Sequence, residues 1–137
     1  MSIYIKSEAE IAVMRKADIL VAKVLRKVRE HAKPGVSTLE LDRLAEDLTR
    51  QAGAKPAFLG YQGAGPYPFP ASLCTSINEE VVHGIPSAER KLVEGDILIV
   101  IVAAVRLQYS LGPDNGQQLL GAKGLEYRVV IRDVWTD

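Results

Sequence analysis

Chemistry in this sequence would centre on two side chains, Cys74 and His83. An imidazole titrates near neutral pH, so His83 could serve as a general acid, a general base or a ligand. Cys74 could act as a nucleophile if a base or a positive field beside it activated the thiol. For a lone histidine and a lone cysteine, however, the structural roles are the more common ones. Residue type alone therefore leaves both alternatives open at both positions.

The segment that carries the histidine is predicted to be extended. Pro86 lacks an amide donor and restricts Ile85 to extended conformations, so a strand end or a tight turn is expected here rather than a helix. We predict a hairpin in which residues 71–77 pair with residues 81–83 across a turn at Asn78-Glu79-Glu80.

Further along the chain, the apolar run of residues 97–105 is rich in β-branched side chains. It predicts a central strand that is buried on both faces. Residues 107–111 could continue a strand or pair back as a hairpin arm, and residues 112–116 form a turn cluster. Residues 127–135 predict a last strand.

Two amphipathic helices precede these strands. Each start carries a serine followed three residues later by a glutamate, Ser7 with Glu10 and Ser37 with Glu40. This pairing satisfies the free amide groups of a first helical turn. Apolar residues at helical spacing then predict helices over about 8–31 and 38–52, with Gly53 closing the second. Because a short Pro34-Gly35 turn joins them, the helices should be antiparallel neighbours.

The stretch between the second helix and the hairpin, residues 54–70, holds four prolines and three glycines. This composition predicts a loop without regular structure. Its aromatic side chains could line a pocket or anchor the loop to the core, and anchoring is the more common use. They are Phe58, Tyr61, Tyr67 and Phe69.

Composition narrows the class of protein. The chain has 137 residues, 17 basic and 17 acidic, with 47% hydrophobic side chains, which predicts one domain with a sizeable core and no nucleic-acid partner. Its single cysteine fits a reducing compartment. It has no apolar signal-peptide core and no apolar run near the roughly 20 residues that span a bilayer. Phosphate-loop, paired-cysteine zinc and dinucleotide motifs are absent. We therefore expect a cytoplasmic α/β protein without a membrane partner.

Three segments together form a specific family pattern. They are Ala54-Lys55-Pro56-Ala57-Phe58-Leu59-Gly60-Tyr61, Phe69-Pro70-Ala71-Ser72-Leu73-Cys74-Thr75-Ser76-Ile77-Asn78-Glu79-Glu80-Val81-Val82-His83-Gly84-Ile85-Pro86, and Leu92-Val93-Glu94-Gly95-Asp96-Ile97. With the helical region before them, they resemble the N-terminal half of a type I methionine aminopeptidase over about residues 3–100. The core from Asn78 to Pro86 is the most specific part of the match.

The resemblance implies an α/β (α+β) fold, half of the pita-bread fold of the creatinase and aminopeptidase type. In that fold two pseudo-symmetric halves surround two divalent metal ions, such as Co, Mn, Fe or Zn. For this chain we expect two antiparallel helices packed on an antiparallel-rich mixed sheet. The family removes N-terminal methionine from polypeptides, so the resemblance implies a peptide N-terminus as partner.

Carried over position by position, the resemblance implies that His83 is the catalytic histidine that contacts the scissile peptide. Tyr61, Phe69 and Cys74 fall where the family lines its pocket for the methionine side chain. The metal ligands depart from the family pattern, since Ile101 stands at the first aspartate position and Gly112 at the second.

We therefore expect no metal ion or other cofactor in this chain. A hard divalent ion needs several carboxylates or imidazoles that converge on it. Asp114 lies near the second position, but the first aspartate is still missing, and the other three ligands belong to the family's second half. An apolar residue at position 101 suits a metal-free half, because burial of an unpaired carboxylate is unfavourable.

These observations predict a methionine aminopeptidase-related half-domain over residues 1–105. The tail, residues 106–137, does not match the family and should form a turn plus a last strand that is packed on, or exchanged with, the same sheet. We expect a truncated or engineered fragment that is inactive alone and keeps His83 idle. The alternatives are an aminopeptidase completed by a second chain, and a half-domain that forms a homodimer or recruits a partner through its exposed face.

Overall fold

The computed structural model describes residues 5–63, 65–106 and 127–131. Two helices come first in the chain and are followed by short strands. The elements in chain order are α1 (Glu8–His31), α2 (Thr38–Gln51), β1 (Ala54–Pro56), β2 (Leu73–Ile77), β3 (Leu98–Val102), β4 (Ala104–Arg106) and β5 (Tyr127–Ile131).

Both helices begin at the predicted capping boxes. At α1, the Ser7 backbone N–H donates to Glu10 Oε2 at 2.7 Å while Ser7 Oγ accepts from the Glu10 N–H. At α2, Ser37 and Glu40 repeat the arrangement, with a Ser37 N–H to Glu40 Oε2 distance of 2.8 Å. Ala52 caps the C-terminus of α2, and Gly53 follows with a left-handed φ of 71°. The predicted helices are therefore confirmed to within one residue.

The strands form antiparallel pairs. β2, β3 and β5 make one sheet with β3 in the centre, and β1 pairs with β4 in a second. In the larger sheet Cys74 lies opposite Ile101 and Ser76 lies opposite Ile99. β5 pairs along the other edge of β3 from Tyr127 to Ile131. The predicted last strand therefore exists over residues 127–131, and residues 132–135 lie outside the described part of the chain.

The core lies between α1 and one face of the larger sheet. Leu98, Val100 and Val102 are buried on that face, together with Val24 and Val28 of the helix. The intervening side chains of β3, Ile99 and Ile101, are only half-buried. The prediction that this strand is buried on both faces was wrong, because the helices cover one face of the sheet only.

The apolar run of residues 97–105 also divides into two strands. β3 ends at Val102, and after Ala103 the chain continues as β4, which pairs with β1. The Ala57 N–H donates to the Ala103 carbonyl at 3.0 Å, at the point where the chain leaves one sheet for the other. This pairing makes a strand of Ala54–Pro56, which the sequence analysis had assigned to an irregular loop. Residues 107–111 and 112–116 lie outside the described residues.

The connection before β3 packs beside the turn between the helices. Leu92 is 1% exposed, and its backbone exchanges hydrogen bonds with Gly35 and Val36 at 2.8 and 2.9 Å. At the start of α2, the Thr38 N–H donates to the Arg90 carbonyl and the Thr38 hydroxyl donates to the Ser87 carbonyl. Among the described residues, neither helix is long and apolar enough to cross a bilayer.

Candidate functional site

The segment with the histidine is not the second arm of a hairpin. Residues 81–83 form no strand, and His83 has a left-handed backbone with a φ of 59°. The segment contacts β2 further on, where the Thr75 N–H donates to the Gly84 carbonyl at 2.8 Å and the Gly84 N–H donates to Ser76 Oγ at 3.2 Å. The hairpin prediction was wrong, because a left-handed residue cannot continue a β ladder.

Asn78 holds the turn that follows β2. Its φ of 56° is left-handed, a conformation that asparagine tolerates better than most residues. Its side chain accepts from the Ile97 N–H and donates to Asp96 Oδ1, both at 2.9 Å. The other carboxylate oxygen of Asp96 accepts from the Val93 N–H at 2.9 Å. These bonds fasten the turn to the start of β3.

Glu80 stabilises the same turn from the other side. One oxygen of its carboxylate accepts from the Ile77 N–H at 2.8 Å, and the other lies 3.1 Å from a guanidinium nitrogen of Arg90. Both Glu80 and Asp96 are therefore engaged in shaping the loop that leads to His83.

The structure brings Cys74 and His83 together. Cys74 Sγ lies 4.0 Å from His83 Nδ1, which is a weak sulfur contact. Cys74 is 4% exposed on β2, whereas the histidine is exposed to solvent. The accessible imidazole of His83 thus lies over the buried, polarizable thiol of Cys74. Cys74 is near the start of β2 and lies opposite Ile101 of β3.

The aromatic loop residues have different environments. Phe69 is half-buried and packs edge to face against Phe58, with ring centroids 6.3 Å apart. The loop is closed by hydrogen bonds from Gly60 N–H to the Phe69 carbonyl and from Phe69 N–H to the Tyr61 carbonyl. Tyr61 itself is 59% exposed and Tyr67 is 82% exposed. The two phenylalanines pack against each other within the loop, and the two tyrosines lie at the surface.

Sequence reasoning missed a buried carboxylate, Asp42 of α2. Its Oδ1 accepts from the Ser72 N–H at 2.8 Å and from the Leu73 N–H at 2.7 Å, immediately before Cys74. Burial raises the pKa of Asp42, and the two backbone hydrogen bonds oppose that rise. A signal was present, because Asp42 lies in the inward stripe of the helix between Leu41 and Ala45.

The described residues do not fit the pair of metal ions that the resemblance implies. No three His, Cys, Asp or Glu side chains converge anywhere in the part of the chain that the structure describes. Asp96 and Glu80 hold the loop through their hydrogen bonds, and the half-buried Ile101 stands where the resemblance implies the first aspartate ligand. Gly112 and Asp114 lie outside the described residues.

Comparison with known proteins places the chain in a family. The pattern of metallopeptidase family M24 matches residues 12–110. A methionine aminopeptidase of Clostridium acetobutylicum is 52% identical over 103 residues, which is 75% of this chain and 39% of that protein. One from Aquifex aeolicus is 43% identical over 125 residues, 90% of this chain and 48% of its own length.

A solved structure agrees with these relatives. The methionine aminopeptidase of Thermotoga maritima superposes with a TM-score of 0.69 at 40% identity, over 77% of this chain and 41% of its own. The chain belongs to metallopeptidase family M24. Within that family, its resemblance to the N-terminal part of the type I methionine aminopeptidases and the pita-bread fold class are confirmed. The chain spans about two-fifths to half the length of these relatives.

Proposed function

We propose that this chain carries the peptide-binding side of a methionine aminopeptidase site without its metal-binding side, and that it does not hydrolyse methionyl peptides alone. One observation carries the proposal. The exposed His83 lies 4.0 Å from the buried Cys74, while the strand position opposite that cysteine is Ile101 rather than a carboxylate.

In this proposal His83 meets the peptide bond of the substrate. Cys74 and Ile101 lie opposite each other on neighbouring strands and contribute to an apolar surface for the methionine side chain. A thiol is soft and polarizable, which suits contact with a thioether. We assign Tyr61 and Phe69 to the same pocket on the resemblance alone. Phe69 already packs on Phe58, and the exposed Tyr61 is the residue free to cover a bound peptide.

The test of activity uses a Met-Ala-Ser peptide with Co²⁺ or Mn²⁺ added to the purified chain. We expect no hydrolysis above a blank without protein. Turnover that disappears in His83→Ala would overturn the proposal that the chain is inactive alone. Calorimetry supplies a second check, because stoichiometric binding of two metal ions would contradict the absence of a metal-binding side.

The test of binding uses the two histidines of the chain. Titration with Met-Ala-Ser should shift the NMR resonances of the His83 imidazole and leave those of His31, the last residue of α1, unchanged. Ala-Ala-Ser is the matched control, because it lacks the thioether side chain. Equal shifts with the two peptides, or none with either, would remove the support for a methionine pocket.

A second candidate function is self-association, with a second copy of the chain as partner. Apolar side chains are exposed in the loop beside the site, with Val81 at 73% and Ile85 at 60%, and Ile97 is 45% exposed before β3. Exposed apolar surface of this kind favours association, and two-fold symmetry is its simplest form. Sedimentation velocity should then show a dimer that Val81→Ser with Ile85→Ser weakens. A monomer at every concentration would exclude this candidate.

The division of the chain is also a proposal, with residues 1–105 as the family part and 106–137 as a tail. The match to the family pattern, which ends at residue 110, supports it, whereas the 125-residue similarity to the Aquifex aeolicus protein extends into the tail. Pairing of β5 with β3 supports a tail packed on the same sheet. The single cysteine of the chain fits a reducing, cytoplasmic location. Limited proteolysis should leave α1 and α2 intact at early times, and early cleavage within either helix would argue against the division.

A further inference from the structure

Gly84 lies closer to β2 than any other residue type would allow. A Cβ added to Gly84 would stand 1.9 Å from the Thr75 carbonyl oxygen and 2.6 Å from the Thr75 carbonyl carbon. Both are backbone atoms of a fully buried strand that is paired with β3 on its other side. The strand therefore cannot yield, and any side chain at residue 84 must push its own segment away.

Hydrogen bonds also hold Gly84 in this position against β2. Gly84 accepts from the Thr75 N–H at 2.8 Å and donates to Ser76 Oγ at 3.2 Å. Ser76 is 2% exposed, so the interior of the protein fixes the position of this hydroxyl. Gly84 is thus held at two points on β2, one residue after His83.

The backbone conformation of His83 depends on this contact. Its φ of 59° lies in the left-handed region, which a histidine adopts only when its surroundings compensate for the strain. Gly84 is held against Thr75 at one end of the loop, and the left-handed Asn78 is held by Asp96 and Ile97 at the other. The backbone between them is therefore restrained at both ends. The left-handed His83 is the residue that turns the imidazole toward Cys74.

We infer that Gly84, together with Ser76, is a positioning residue that holds the His83 imidazole over the Cys74 thiol. The inference rests on the proposed function only for the role it gives to His83. Neither Gly84 nor Ser76 touches a substrate in this account. They act through the histidine, and the geometry they impose is measurable without any turnover.

The test compares Gly84→Ala with Gly65→Ala. An added Cβ at Gly65 meets no atom within 4 Å, so this control makes the same chemical change without a clash. In Gly84→Ala the segment must retreat by at least 1.1 Å, the difference between the 1.9 Å contact and the 3.0 Å that real Cβ atoms require. Ser76→Ala, which removes the second hold, is the milder variant.

The first measurement is alkylation of Cys74 by iodoacetamide, which is unambiguous because the chain has one cysteine. Retreat of the histidine uncovers the thiol, so we expect the alkylation rate to rise about 10-fold in Gly84→Ala. Ser76→Ala should give a smaller rise, and Gly65→Ala should match the unmodified chain.

The second measurement is the NMR response of the His83 imidazole to Cys74→Ser. The substitution should shift the His83 ring resonances in the otherwise unmodified chain and leave those of His31 in place. Combined with Gly84→Ala, the same substitution should no longer shift them. A residue that merely stabilised the fold would leave this coupling intact.

Persistence of both the slow alkylation and the His83–Cys74 coupling in Gly84→Ala would overturn the inference. If Gly84→Ala loses cooperative unfolding, Ser76→Ala decides the matter by the same two measurements, and unchanged values there overturn the inference too. Failure of Met-Ala-Ser to bind the unmodified chain would count against the proposed function alone, because neither measurement depends on peptide.

Discussion

Asp42 offers the sharpest test of how α2 supports the site. Its carboxylate accepts the Ser72 and Leu73 N–H groups at 2.8 and 2.7 Å, and it does so across 30 residues of sequence. Ser72 and Leu73 are themselves 1% and 0% exposed, so water cannot replace the acceptor. Replacement of Asp42 by alanine would leave two buried donors without a partner.

The expected loss follows from those two donors. A buried donor left unsatisfied costs about 1–3 kcal/mol, so Asp42→Ala should lower the free energy of unfolding by about 2–4 kcal/mol after partial relaxation. Asp42→Asn keeps an oxygen at the same place and removes the buried charge. We therefore expect it to lie within about 1 kcal/mol of the unmodified chain.

Urea unfolding followed by circular dichroism measures both variants, with Asp47→Ala as the matched control on the exposed side of the same helix. The control should change stability by less than about 0.5 kcal/mol. The reasoning is refuted if Asp42→Ala is as stable as the control, or if Asp42→Asn is as damaging as Asp42→Ala. In the second case the charge, rather than the acceptor oxygen, would be the stabilising feature.

Three further predictions concern Asp42, the cap of α2 and Ile101. Burial raises the pKa of Asp42 above its usual 3.8, so the folded state favours the protonated carboxyl. The stability that this carboxyl contributes is therefore lost as the pH rises from 3.8 through the raised pKa. Urea titrations at each pH should show the unmodified chain losing stability relative to Asp42→Asn over that range. Ser37→Ala removes the cap of α2 at a residue that is 4% exposed and should lower the unfolding free energy by about 1–2 kcal/mol, with the exposed Ser7→Ala losing less in the same assay. Ile101→Asp introduces the aspartate that the resemblance implies at this position, without the other ligands, and should destabilise the chain by about 2–4 kcal/mol. A melting temperature that Mn²⁺ raises in this variant and not in the unmodified chain would show that a metal site can form after all.

The helices could be read from the sequence because their determinants are local. Ser7 with Glu10, and Ser37 with Glu40, satisfy the first-turn donors within three residues, so no distant contact is needed to place either start. The family resemblance around His83 could also be recognised from the sequence, because a run of residue types identifies a family whatever its conformation. The contact between Cys74 and His83 was not predicted, because a run of residue types does not specify how its backbone folds.

The conformation of that run was decided elsewhere in the molecule. An extended arm over residues 81–83 is a fair expectation from composition. The left-handed His83 instead follows from the contact of Gly84 with Thr75, which forms only once β2 is buried and paired. The strand Ala54–Pro56 was missed for a similar reason, because its partner is β4, which comes after β2 and β3 in the chain.

The sequence by itself determined which residues are present at the site and where the helices begin, because these depend on residue identity and on neighbours within a turn. Tertiary structure alone decided which face of β3 is buried, which backbone donors Asp42 satisfies, and how the histidine meets the thiol. Each of these depends on groups that lie far apart in the chain and are brought together only when the sheet packs against α1 and α2.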